Sequence, residues 1–154
     1  MHSDHLIVGF LITSIVAGIL GGLAMELVMW LICRSGWAQG NMVIAVGSMV
    51  TKSHEKALST GAIIHASSAV GFAMVYAFAM RELGLAHFPI SLYAGLGFGV
   101  IHGLIVSLML VWVVAVQHPL EEFQKAGFAV GLSHFAGHVA YGGLVGLVIG
   151  LSPL

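Results

Sequence analysis

The sequence predicts an all-α integral membrane protein: a four-transmembrane-helix, up-down-up-down bundle with a short interfacial segment in the first loop. Three observations carry this expectation. The 154 residues are 59% hydrophobic and only 7% charged, where an average soluble domain carries about 25% charged residues, and the mean hydropathy is +1.05. The apolar residues fall into four runs, about 6–33, 58–80, 90–116 and 126–151, each long enough for the roughly 20 residues that cross a bilayer as a helix. The connections between them are short, and short connections join antiparallel neighbours. One membrane domain, 1–154, takes up the whole chain.

In order, Met1–His5 is a polar tip with His2, Asp4 and His5, and Leu6–Cys33 is the first apolar run, with Glu26 as its only charge. No basic stretch precedes this run and it is too long for a cleaved signal, so a retained helix is expected. Arg34–Lys56 is a polar-flanked connection that contains the apolar stretch Met42–Val50. That stretch is too short to cross; it would lie in the interface with Lys52 and Lys56 at its edge, or pack as a loop on the helix ends. Leu58–Met80 is the second span and Arg81–Pro89 the turn after it. Ile90–Val116 is the third, free of Asp, Glu, Lys and Arg. In Gln117–Lys125, Pro119 stops a continuing helix. Ala126–Leu151 is the fourth span. Arg34, Lys52, Lys56 and Lys125 lie in loops one and three, against Arg81 alone on the other side. The positive-inside rule therefore places those loops in the cytoplasm and both termini outside, in a bacterial inner membrane on the periplasmic face.

Composition also excludes functions. The formal net charge is -1 with no basic stripe, so no nucleic-acid partner is expected. A single cysteine, Cys33, leaves no intrachain disulfide and no cysteine-rich metal site. There is no P-loop, nucleophile elbow or dinucleotide fingerprint, and whether any reaction is catalysed is left open.

Small residues recur in steps of four, along one helix face. Gly18 and Gly22 lead to Glu26; Gly61 leads through His65 to Ala69, Ala73 and Ala77; Gly95, Gly99 and Gly103 have His102 beside them. In the last run His134 and His138 continue into Gly142, Gly146 and Gly150. Such rows let helix backbones approach closely in a membrane, so the ionisable groups on them are expected to face one shared interior. With helix ends taken at the flanking charges, Glu26, His65 and His134 each lie about seven residues, or ~10 Å, from the cytoplasmic end.

Intramembrane ionisable groups are costly and mark function by default. Imidazole and carboxylate ligate Fe, Cu or Zn, and bundle interiors hold such sites. The expected ligands are Glu26, His65, His102, His134 and His138, with His134 and His138 a pair one helical turn apart. His118, Glu121 and Glu122 are possible rim ligands. Tyr141 is placed to donate a hydrogen bond to the histidine row. The chemistry expected of such a metal ion is redox or metal handling. Three alternatives stand beside it: a hydrogen-bonded His/Glu network without metal, a b-type haem between His65 or His102 and His134 or His138, and a non-catalytic accessory subunit of a larger respiratory or oxidoreductase complex. The glycine rows suit a homo-oligomer or such a complex in the lipid bilayer. A proton relay through Glu26 and the histidines ranks below these.

The layout resembles a bacterial family of small four-span membrane proteins known as a domain of unknown function. The resemblance rests on Gly21–Ala24, the stretch from His65 to Tyr76, the glycine-rich Gly95–Gly103, His118–Pro119 and the His138-to-Gly142 stretch. It implies the four-span layout and assigns no activity.

Overall fold

The computed structural model describes residues 2–38 and 41–152, with side chains from residue 5 onward. The side chains of His2 and Asp4 thus lie outside the described residues. All regular structure among these residues is helical: α1 (His2–Arg34), α2 (Met42–Thr51), α3 (Ala57–Glu82), α4 (Ile90–Met109), a π-helical turn (Leu110–Val114), α5 (Ala115–Gln117), α6 (Glu121–Gln124) and α7 (Phe128–Gly150). Four helices are long and apolar enough to cross a membrane: α1, α3, the continuous run Ile90–Gln117, and α7. Their outward faces are apolar, with Ile7, Leu23, Ile63, Phe78, Ile101 and Trp112 all exposed.

The ends follow local chemistry. Asn41 caps α2 by accepting the Ile44 N–H at 3.1 Å, and α2 stops at Lys52 in the left-handed region, φ 55. At the end of α3, Gly84 takes φ +68, and the N–H groups of Leu85 and Gly84 return to the carbonyls of Met80 and Arg81. This is the Schellman arrangement that glycine permits. His118 adopts an extended conformation, as expected before proline, and the third long helix ends there. The first loop is thus more ordered than a polar connection: its apolar stretch is a ten-residue helix.

Packing is set by glycine. On α4, Gly95 lies against Gly142 and Gly146, Gly99 against His138 and Val139, and Gly103 against Phe135 and His138. Rising numbers on α4 meet falling numbers on α7, so the two run antiparallel with backbones in contact. Gly18 and Gly22 bring α1 onto Val70 and Ala69 of α3. Gly150 meets Ser91 and Phe88. α1 also packs antiparallel on α7, with Gly21 against Tyr141 and Val145, and Gly137 against Met25 and Met29. α7 is therefore the central helix, buried at Ser133, His134, His138, Tyr141, Val145 and Ile149. α2 packs on the start of α3 through Gly47 and Gly61. The α2 and α6 regions share one end of the molecule, where His54 Nε2 lies 2.6 Å from Glu122 Oε1.

Candidate functional site

A cavity of about 180 Å³ opens between the four long helices beneath α2. α7 contributes His138 and Tyr141, α4 His102 and Val106, and α3 His65, Ser68 and Phe72. α1 adds Gly22 and Met25, and α2 covers the space with Met42 and Val46. Small residues on the seams leave this room: α3, α4 and α7 each present one imidazole, His65, His102 and His138, and α1 meets them with Gly22.

The α7 histidines are held by their own helix. His134 Nδ1–H donates to the Val130 carbonyl and His138 Nδ1–H to the His134 carbonyl, both at 2.7 Å. This fixes the tautomer and leaves each Nε2 as a lone-pair acceptor. His138 is 6% exposed, and its Nε2 has no hydrogen-bond partner among the described residues. His102 packs against it with ring centroids 4.6 Å apart at 70°. His102 also packs on Phe72, with ring centroids 4.1 Å apart, and its Nδ1 is in hydrogen-bond contact with the Tyr76 hydroxyl at 3.3 Å.

Glu26 and His65 form a second pair across α1 and α3. Oε1 lies 3.3 Å from His65 Nδ1, yet it is a buried oxygen without a hydrogen bond. The contact is close but off the donor direction, so it is electrostatic and not a hydrogen bond. The Glu26 side chain as a whole is 42% exposed, so it stands at the edge of the bundle and not in its centre.

The expected ligands therefore do not converge on one point. Among the described residues no three His, Cys, Asp or Glu side chains are grouped so as to hold one metal ion. His65, His102 and His138 share the cavity, and Glu26 stands behind His65. His134, one turn from His138, faces elsewhere. It is 2% exposed, its Nε2 is buried without a partner among the described residues, and it lines a separate space of about 30 Å³ with Asn41, His118 and the π-turn residues Leu110 and Val114. A space of that size holds about one water. The touching rings of His102 and His138 leave no room for a porphyrin between them.

Of the rim residues, His118 and Glu122 are engaged in contacts within the fold. His118 Nε2–H donates to the Ala45 carbonyl of α2 at 3.0 Å, and its Nδ1 accepts the Leu120 N–H at 3.1 Å. Both nitrogens are occupied, so His118 has no lone pair for a metal and instead clamps α2 over the bundle. His118→Ala should loosen α2 by about 1 kcal/mol, read as roughly fivefold faster amide exchange across residues 42–51 with global stability little changed. Glu122 pairs with His54, and Glu121 is exposed in α6. Tyr141 donates to the Ala69 carbonyl at 2.6 Å, tying α7 to α3, and not to a histidine.

Sequence reasoning missed Tyr76, Phe72 and Ser68. A signal was present: Phe72 and Tyr76 are one turn apart and each falls beside the row from Gly61 to Ala77, on nearly the same helix face. No family model matches the chain, and no curated protein or solved structure matches it either.

Proposed function

We propose that the chain is an integral membrane protein, spanning the bilayer four times in up-down-up-down order, whose bundle core binds a small ligand that is positively charged or donates hydrogen bonds. The observation that carries this is the acceptor character of the cavity. His138 offers a free Nε2 fixed by its Nδ1–H bond, the Glu26 carboxylate stands behind His65, outside the cavity lining, and among the described residues no lysine or arginine lines the space. Acceptors that have left water need a donor or a cation. A volume of about 180 Å³ with walls of Met25, Ile64, Phe72 and Val106 suits an organic group with an apolar body. Loops one and three, which carry most of the positive charge, are assigned to the cytoplasm.

A metal ion such as Fe, Cu or Zn is the second reading. The locked Nδ1–H groups favour it, since metal-binding imidazoles are commonly oriented by a bond from the other ring nitrogen. It requires His65 or His102 to swing before three donors share one ion.

Titration of benzylammonium, and separately of Zn²⁺ and Cu⁺, into protein in mild detergent tests both. Saturable benzylammonium binding that His138→Ala weakens about tenfold or more supports the organic reading. Stoichiometric metal lost in the same variant selects the metal reading. Binding of neither, or binding indifferent to His138, would sink the cavity as a ligand site.

A further inference from the structure

The cavity has a neighbour on the membrane side. A groove of about 870 Å³ runs between α1 and α3, and it shares Gly22, His65 and Ala69 with the cavity wall. Little more than the His65 ring and these small residues separates the two spaces. Glu26 stands in the groove at this level, 42% exposed, with Oε1 buried and not hydrogen-bonded. Among the described residues no lysine or arginine lines the groove. Its floor is small, with Gly18, Ala62, Ala66 and Ser67, and its edges are apolar, with Ile19 and Met74.

A carboxylate on the lipid side of a membrane helix needs a partner of opposite charge or a strong donor. His65 is close but badly directed, and no other described residue supplies a partner there. An occupant that satisfies Glu26 must bring its charge along an apolar route. Attraction between a carboxylate and an ammonium is strong in such surroundings, where water does not screen it.

We propose that the ligand is a protonated lipophilic amine that reaches the site sideways from the membrane, its ammonium group at the His65–Glu26 wall and its apolar tail along the α1–α3 groove. This rests on the cavity reading above and adds the ligand's charge, shape and route. The tail accounts for a groove too wide and too apolar for a headgroup alone. The shared wall accounts for a carboxylate at the bundle edge beside a histidine that also faces the interior.

The test uses the full chain in lipid nanodiscs with three probes: 4-octylbenzylammonium, the uncharged 4-octylbenzyl alcohol, and tailless benzylammonium. The octyl amine should bind at least about tenfold more tightly than the alcohol to the unaltered protein, a comparison that needs no variant. Glu26→Gln should remove most of that difference by weakening the amine alone. Ala66→Phe, which puts a large ring into the groove at an exposed position, should weaken the octyl amine about tenfold and leave benzylammonium unchanged. Equal binding of amine and alcohol would overturn the assignment of charge. An octyl amine indifferent to Ala66→Phe would overturn the groove. Benzylammonium binding that depends on His138 while the tailed probe ignores both variants would leave the cavity standing and defeat this inference alone.

Discussion

Gly142→Ala is expected to destabilise the bundle by on the order of 3 kcal/mol, while Gly97→Ala, on the partner helix, should be neutral or slightly stabilising. A methyl group on Gly142 would run into the Gly95 carbonyl oxygen and come within 2.8 Å of Gly99 Cα and 2.9 Å of Gly99 N. All three are backbone atoms, so no rotamer change relieves the clash and α4 must move away from α7. The loss is broad, because Gly95, Gly99, Gly103 and Gly146 rely on the same approach. Without a hydrophobic drive between helices in lipid, close packing is the main source of association. Gly97 has nothing within 4 Å of the position its methyl would take, and replacing a mid-helix glycine with alanine returns about 0.5–1 kcal/mol. Thermal or SDS unfolding in detergent reads both. Equal effects at the two positions would show that the seam does not hold α4 to α7.

Gly61→Ala should release α2 while leaving the four long helices assembled. Its methyl would collide with the Val43 carbonyl oxygen and stand 3.0 Å from Gly47 N; a methyl on Gly47 would in turn meet the Ala57 carbonyl. The two helices cross glycine on glycine, with no room for a side chain on either. Undocking at a cost of about 2 kcal/mol corresponds to roughly thirtyfold faster amide exchange over residues 42–51. That exceeds the effect of His118→Ala, which removes one hydrogen bond from the same docking. Because Met42 and Val46 roof the cavity, the variant should also speed dissociation of benzylammonium. Protection unchanged in residues 42–51 would refute the crossing.

The glycine rows were legible because their physics is one-dimensional. A four-residue step puts small residues on one face whatever the partner, and Gly95, Gly99 and Gly103 do lie against Gly142, Gly146 and their neighbours. The histidines were legible only as belonging to those faces. A helix face is wide, and a residue one turn along points some tens of degrees away from its row. That rotation, with the identity of the opposite helix, divides His138, beside His102, from His134, beneath α2. The row containing Glu26 gave no sign that its carboxylate stands at an outer edge, since α1 meets α3 through Gly18 and Gly22 and leaves Glu26 at the side of that contact.

By itself the sequence determined that this chain forms four long apolar helices, about where they run, and which faces can approach backbone to backbone, because length, hydropathy and side-chain size act locally along a helix. It did not show that α1 already begins at His2 or that a π-turn interrupts the third long helix. The tertiary structure alone decided that α7 is central, that His118 is a clamp with both nitrogens occupied, and that Tyr76 and Phe72 flank His102. It also decided that His65, His102 and His138 share one cavity without forming one coordination sphere. These are matters of helix rotation and pairing, and rotation is fixed only when every backbone has found the glycine opposite it.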